Sequence, residues 1–498
     1  MYSLPQTTLY VSLLLAALGL QAEPRPPENS THFAKQMADI SPRHSQTAIM
    51  AIDLASNQLI YSHQPDTLLI PASTQKVLTA VTAMAALGPE FRYVTELWSD
   101  APIRHGHIAG SVYLRFNGDP TLTQADLKGI FASLVKQGIT RIEGHLYLIG
   151  DKQEQLQAPG WVWDDLGICF AAPVSSYIIN QNCVYGQFIP SSATQASMVK
   201  LRAASYGVKV SSDAVFDQQA NRDFCQLDLM RLGQNQYHLR GCYPGSEAIP
   251  LAIAVSDPEK FAKDTLSAML KGEMTVAGKV QVGEHIPQKA KLIASHSSAP
   301  LPELLTTMLL KSDNLIADSL FKQVGKTYYR TQGSFTHGAA AMKHILTDLG
   351  VDLSSANIVD GSGLSRYNLL NARQLADVLS LIHRDARFSG LITSLPQAGV
   401  SGTLKYRQGY TKPPLKNLIF AKTGSMQGVA NLAGFMRLPQ QQDILFVVLE
   451  NGIAPEPNKS NKPAFSAHFL TTLLREIPPA AQVNTASQTD ANTMKLSH

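Results

Sequence analysis

Ser73-Thr74-Gln75-Lys76 places a hydroxyl and an amine three residues apart. On a helix, positions i and i+3 share a face. A buried lysine tends to lose its proton, because removal from water disfavours the ammonium. A neutral amine beside a serine Oγ is a general base next to the nucleophile it activates. The same Ser-x-x-Lys spacing recurs at Ser133, Ser197 and Ser319, so the spacing alone selects none of them. Context favours Ser73. It opens a nearly unbroken apolar run over residues 73–87, closed by Gly88-Pro89, which predicts a buried helix. Backbone N–H groups at the start of such a helix can stabilise an oxyanion.

Two further clusters carry weight. Ser312-Asp313-Asn314 lies between two helical patterns; Ser-x-Asn also occurs at Ser355-Ala356-Asn357, and its plain reading is a helix N-cap. Lys422-Thr423-Gly424 occurs once, on a strand-like run starting at Leu418. A lysine and a hydroxyl beside a glycine suit a carboxylate ligand approaching the strand closely; the plain reading is an edge lysine and a turn. The three clusters in this order are much more specific than any one. Class A β-lactamases and penicillin-binding proteins share that set.

The chain resembles the class C low-molecular-mass penicillin-binding proteins, a D-alanyl-D-alanine carboxypeptidase/endopeptidase family. The likeness runs through LIPASTQKVLTA, DPTLT, APGWVWDD, KSDNLIADSLF, DGSGLSRYNLL and AKTGSMQGVANLAGF, nearly the whole mature chain. It implies an α/β (α+β) fold, with a serine β-lactamase/DD-peptidase-like domain of antiparallel sheet flanked by helices. It also implies a large, β-rich nested insertion. In mechanism it implies acyl transfer. Ser73 attacks the carbonyl of the penultimate D-Ala and Lys76 takes its proton. The N–H groups of Ser73 and Ser425 form the oxyanion hole. Ser312 relays a proton to the leaving amine, Asn314 orients the lysine and the substrate amide, and Lys422 and Thr423 hold the terminal carboxylate beside Gly424. Asp165, Phe170, Arg366 and Gln427 are expected to hold the side chain of the stem peptide, with Asp164 competing for the role of Asp165. Their plain readings are a surface acid and a loop salt bridge.

The length fits that resemblance. Ser312 follows Ser73 by 239 positions (312 minus 73), far more than a compact enzyme of this chemistry needs. The expected division is a signal peptide at 1–22 and a peptidase domain built from 23–92 plus 287–477. Between them lie an inserted domain at 93–118 plus 190–286 and a nested domain at 119–189. A disordered tail covers 478–498. Strands are expected at 47–53, 58–63, 111–116 and 142–149, and helices at 126–136, 301–311, 314–324, 339–349 and 372–384. A terminal antiparallel meander is expected at 418–423, 431–437 and 444–450.

Residues 11–20 (VSLLLAALGL) are too few to span a bilayer, which needs about 20. With the small residue Ala22 they read as a secretory signal, although the preceding segment lacks Lys and Arg. Cys169, Cys183, Cys225 and Cys242 allow three pairings; in an exported chain they suggest disulfides, and sequence-adjacent pairing would give Cys169–Cys183 and Cys225–Cys242. The location expected is the periplasm. Forty-four per cent of residues are apolar, which excludes wholesale disorder, and a net charge of +4 gives no electrostatic case for nucleic acid. No CxxC or HExxH spacing supports zinc. The resemblance implies peptidoglycan stem peptides as substrates, β-lactams as inhibitors, a place in cell-wall biogenesis and cell shape, no cofactor, no metal and no membrane anchor. A homodimer is left open. Two other readings stand beside it. One is a class A β-lactamase, but no glutamate begins the Glu-x-x-Leu-Asn element of those enzymes. The other is a non-catalytic peptidoglycan-binding scaffold.

Overall fold

The structure, a computed structural model, describes residues 30–191, 196–203, 205–220, 225–439, 442–454 and 463–476. The expected signal peptide (1–22) and tail (478–498) lie outside the described residues.

Both ends of the chain build one antiparallel sheet. Its strand order is Gln58–His63, Gln46–Asp53, Asp443–Asn451, Val429–Arg437 and Ile419–Met426. The Asp443–Asn451 strand is buried at every position, because helices cover both faces of the sheet. On one face pack Lys76–Leu87, Leu301–Lys311, Asn314–Tyr329, Phe335–Asp348 and Ala372–Arg384, around Leu78, Val81, Leu320, Leu375 and Val447. The Lys76–Leu87 helix is apolar nearly all round, as suits a helix inside a core. It stops at Gly88, whose φ of 77° lies where a side chain would be strained. Asn371 starts the Ala372–Arg384 helix by a reciprocal capping box with Gln374.

On the other face lie two helices that the sequence reading omitted, Ser30–Ile40 and Phe465–Glu476. Phe33, Met37 and Ile40 repeat at helical spacing, and Phe33 packs on Tyr61 at 5.1 Å and on Phe469 at 6.4 Å. That periodicity is three residues long and follows a Pro-rich stretch, which hides it.

The residues between the two halves have their own cores. A five-stranded sheet runs Val280–Val282, Leu146–Ile149, Val112–Arg115, Val94–Ser99 and Lys291–Ser297. The Gln124–Lys136 and Pro258–Met269 helices pack on it through Leu127, Ile130, Phe261 and Leu266. Further in, Cys183–Ile189 lies between Met198–Leu201 and Ile249–Ala254. A small separate core forms around Phe188, Ala214 and Leu239.

Strand pairing therefore departs from the expected seams at 119, 190 and 287. Leu146–Ile149 pairs parallel with Val112–Arg115, across the Gln124–Lys136 helix. A parallel pair needs such a crossover, so these three elements are one βαβ unit that runs through residue 119. Lys291–Ser297 pairs with Val94–Ser99, so the insertion's sheet continues past 287.

The disulfides are Cys169–Cys183 and Cys225–Cys242, with Cα atoms 5.4 and 5.2 Å apart, closing loops of 14 and 17 residues. Loops of that size restrict the unfolded chain by about 3 kcal/mol each. Replacing both cysteines of either bridge with serine should lower the urea midpoint accordingly. An unchanged midpoint would remove either bridge from the list of stabilising features.

Candidate active site

The nucleophile sits on a tightly held turn. Asn431 Nδ2 donates to the carbonyls of Ile70 and Pro71, both at 2.9 Å, and the Ile70 N–H donates to Asn451 Oδ1 at 2.8 Å. Ala72 then takes a φ of 47°, unusual for a residue with a side chain. Its carbonyl lies so close to Gly363 that any side chain at 363 would collide with it. Ser73 lies in the 3₁₀ turn Ala72–Gln75, and the α-helix begins at Lys76. This differs from the helix expected from Ser73, because the strained Ala72 tightens the first turn.

Lys76 is fully buried, and its Nζ makes three contacts, the full capacity of an ammonium. They reach Ser73 Oγ at 3.0 Å, Asn314 Oδ1 at 2.6 Å and the Ser362 carbonyl at 2.7 Å. Burial pulls its pKa down to about 8, against the opposing pull of the Asp318, Asp360 and Asp313 carboxyls. Near neutral pH a usable fraction is therefore the free amine. A free amine there stands within proton-transfer distance of the Ser73 hydroxyl, at 3.0 Å.

The carboxyls shape the loop that supplies one of those contacts. Asp318 Oδ1 accepts from the Gly361 and Ser362 N–H groups at 2.7 and 2.9 Å. Burial first, and then the Asp360 charge, push the Asp318 carboxyl well above the usual range. Asp360 accepts from the N–H groups of Gly363 and Ser365, from Asn368 Nδ2 and from Trp161 Nε1 at 2.7–2.9 Å. DGSGLSRYN is thus a loop folded around buried carboxyls.

Ser312 ends the Leu301–Lys311 helix in the left-handed region, with φ 58° and ψ 39°. The helix cap that is the plain reading of this cluster is performed by Asp313, whose Oδ1 accepts from the Ile316 N–H at 2.9 Å. Ser312 Oγ is left to accept from Lys422 Nζ at 2.8 Å. Lys422 is fully buried; burial, then the charges of Lys76 and Arg407, hold its pKa well below the usual value.

Lys422, Thr423, Gly424 and Ser425 lie together on the Ile419–Met426 strand. A Cβ on Gly424 would stand 2.6 Å from the Pro71 carbonyl, so only glycine lets this strand touch the nucleophile turn. Thr423 Oγ1 meets Thr403 Oγ1 at 2.8 Å, and Arg407 donates to Ser425 Oγ at 3.3 Å.

A cavity of about 360 Å³ opens over Ser73, Ser312, Asn314 and Ser425. Asp165, Phe170, Arg366 and Gln427 all line it, as does Asp164. Burial, then the neighbouring Asp164 charge, raise the Asp165 pKa, with Arg366 opposing. Arg366 donates to the Gln427 carbonyl at 3.3 Å, and Asn314 Nδ2 donates to the Phe170 carbonyl at 2.9 Å. Every site residue singled out from sequence therefore lies on this cavity or on the elements that frame it. The sequence reading assigned no role to Asp318, Asp360, Thr403 or Arg407. Asp318 had a signal, since it lies one helical turn beyond Asn314; Thr403 and Arg407, in a turn-rich segment, had none. Among the described residues no group of His, Cys, Asp or Glu is placed to hold a metal ion.

Residues 30–473 match the model of the D-Ala-D-Ala carboxypeptidase 3 (S13) family. The chain belongs to that family. It is 36% identical over 415 residues to the D-alanyl-D-alanine carboxypeptidase DacB of Haemophilus influenzae, covering 82% of this chain and 86% of that protein. It is 29% identical over 429 residues to the D-alanyl-D-alanine carboxypeptidase of an Actinomadura species, covering 82% and 78%. The crystal structure of penicillin binding protein 4 from Haemophilus influenzae superposes with a TM-score of 0.82 at 34% identity, covering 89% of this chain and 98% of that one. The same protein complexed with a β-lactam superposes at 0.79. This S13 chain is thus a serine-type D-Ala-D-Ala carboxypeptidase with the DD-peptidase fold.

The Lys76 environment sets a pH dependence. The base must be neutral, so activity is present above its pKa and lost below it. Acylation of Ser73 by a β-lactam, followed from pH 6 to 10, should rise up to tenfold per unit, bend near pH 8 and level off. A flat profile between pH 6 and 9 would count against Lys76 as the base.

Proposed function

We propose that Ser73 carries the acyl group and that the two Ser–Lys pairs divide the proton traffic. The observation that carries this reading is their convergence on one cavity: Lys76 on Ser73 at 3.0 Å and Lys422 on Ser312 at 2.8 Å. Ser73 Oγ bonds to the carbonyl carbon of the penultimate D-Ala and gives its proton to Lys76 Nζ. The negative oxygen that forms faces the N–H groups of Ser73 and Ser425. As the peptide bond breaks, the proton passes from Lys76 through Ser312 to the departing D-Ala nitrogen. Lys422 and Thr423 hold the terminal carboxylate. Water then attacks the ester, its proton is taken by Lys76, and Ser73 is released. A β-lactam enters by the same first step, and its ring-opened amine stays attached, so Ser73 remains blocked.

The same step on a crosslink releases a stem peptide in place of D-Ala, so we assign endopeptidase activity to the same serine. Asp165 and Arg366, on one cavity wall, suit the ammonium and carboxylate of a diaminopimelate end. The compartment proposed is the periplasm, reached through the leader at residues 1–22. Two features support it: a pair of disulfides and, among the described residues, no helix long and apolar enough to cross a membrane. We propose a division into a peptidase of residues 30–93 plus 298–476, an inserted domain of 94–182 plus 255–297, and an inner unit of 183–254.

Ser73→Ala should abolish both D-Ala release from a pentapeptide and covalent penicillin labelling, with the melting curve unchanged. Mass spectrometry of isolated crosslinked peptidoglycan should show loss of terminal D-Ala and of crosslinks with the wild type only. Residual D-Ala release by the variant would remove Ser73 from the nucleophile's role.

Asp165→Ala and Arg366→Ala should each lower kcat/KM roughly 10-fold or more for stem peptides ending their side chain in a diaminopimelate zwitterion. Peptides with an apolar side chain at that position should lose much less. Equal losses on both substrates would refute the side-chain pocket.

A further inference from the structure

The segment Thr403–Arg407 lies along the catalytic strand, and the acyl-transfer chemistry leaves it unused. Thr423 and Ser425 are two residues apart on a strand, so their side chains share a face. Thr403 Oγ1 meets the first hydroxyl at 2.8 Å, and Arg407 donates to the second at 3.3 Å. This register depends on buried anchors at either end. Leu404 and Tyr410 are fully buried, and Tyr410 OH meets Ser466 Oγ at 2.8 Å. Between them the Arg407 N–H donates to the Leu404 carbonyl at 3.4 Å, and the Tyr410 N–H donates to the Arg407 carbonyl at 3.1 Å. The backbone of Arg407 is therefore fixed on both sides, and its side chain alone reaches the strand.

The guanidinium stands in an unusual place. It is half-buried and lies close enough to the buried Lys422 to depress that lysine's pKa. No ion pair joins it to a carboxylate among the described residues. A guanidinium with no acid beside it makes a positive charge on the neighbouring buried lysine costly unless an anion joins them. A guanidinium offers five donors, and the Ser425 contact uses one. The anion that arrives here is already defined: the terminal carboxylate proposed above for Lys422 and Thr423.

We propose that Arg407, backed by Thr403, is a specificity-determining residue that grips the terminal α-carboxylate of the leaving D-residue. The proposal rests on the reading that the Lys422–Ser425 strand binds that carboxylate. Arg407 supplies the planar fork that a carboxylate matches, while Lys422 supplies a point charge. The protein then selects peptides with a free carboxylate at the departing residue. A crosslink keeps such a carboxylate on the acceptor's diaminopimelate, so one grip serves both reactions.

The test uses the full chain with a D-Ala-D-Ala peptide as its free acid and as its C-terminal carboxamide. For the wild type, kcat/KM should favour the acid by tenfold or more. Arg407→Ala and Arg407→Gln should each cut that acid-to-amide ratio roughly 10- to 100-fold, chiefly through KM on the acid. Arg407→Lys should restore part of it, since charge returns without the fork. If the wild type prefers the acid and both variants keep the full ratio, or lose activity equally on both peptides, Arg407 has only a structural role and the inference fails. If the wild type itself does not distinguish acid from amide, the carboxylate reading of the strand fails first and takes this inference with it.

Discussion

The removal of the Lys76 amine from water is the constraint on which the site depends. An ammonium without water must find three acceptors or shed its proton. Here the three acceptors come from three separate parts of the chain: the nucleophile turn, the start of the Asn314–Tyr329 helix, and the DGSGLS loop. Each of those parts is held by something expensive in isolation. The turn requires a left-handed Ala72, the helix start follows a left-handed Ser312, and the loop wraps two buried carboxyls. These local costs are of order 1–3 kcal/mol each and persist because the surrounding core fixes them. A lysine left in water would need none of this and would be protonated at neutral pH.

The second lysine shows why two are needed. Lys422 and Lys76 are both fully buried, and the Lys76 charge lowers the affinity of Lys422 for a proton. They differ in company. Burial lowers the pKa of both; at Lys76 the Asp318, Asp360 and Asp313 carboxyls oppose it and leave about 8, whereas at Lys422 the charges of Lys76 and Arg407 act in the same direction as burial. An incoming carboxylate reverses that balance at Lys422 and so favours its charged form. On the proposed role of Lys422 in holding the terminal carboxylate, substrate binding and the protonation of the second Ser–Lys pair would be linked.

What the sequence made legible follows from range. The three motifs, the apolar helix after Ser73 and the terminal meander are local patterns with strong composition, and the structure has the helix, from Lys76, and the meander. Within the Ser312-Asp313-Asn314 cluster Asp313 is the cap, because both Ser and Asp can cap and the left-handed turn at Ser312 decides between them. The strand pairing within the insertion was hidden for a different reason. The strand, helix and strand over 111–149 were each readable, but their parallel pairing, and the return of Lys291–Ser297 to the Val94–Ser99 strand, are long-range facts. Thr403 and Arg407 were illegible because nothing in a turn-rich segment announces which strand it will lie against.

The insertion is long because it is part of the site. Residues 150–182, between the Leu146–Ile149 and Cys183–Ile189 strands, form an irregular segment of a length that is uncommon without function. It reaches the peptidase at several buried points. Trp161 Nε1 donates to Asp360, Ser365 Oγ donates to the Pro159 carbonyl at 2.6 Å, and Asn314 Nδ2 donates to the Phe170 carbonyl. On the next turns of the Asn314–Tyr329 helix, Lys322 Nζ donates to the carbonyls of Gln155 and Val174 and pairs with Glu154 at 3.6 Å. Gln181 Nε2 donates to Asp313 at 3.0 Å. Removing this segment would leave the buried Lys322 ammonium unpaired and take one of its two donors from an Asp360 oxygen, which keeps the Ser365 N–H. An unpaired buried polar group costs roughly 1–3 kcal/mol, and more when charged. The helix that carries Asn314 is thus fixed from the insertion's side as firmly as from the core's. An enzyme of this fold without the insertion would have to satisfy those groups another way. In this chain, the segment that shapes the substrate cavity is also the one that holds the catalytic helix in place.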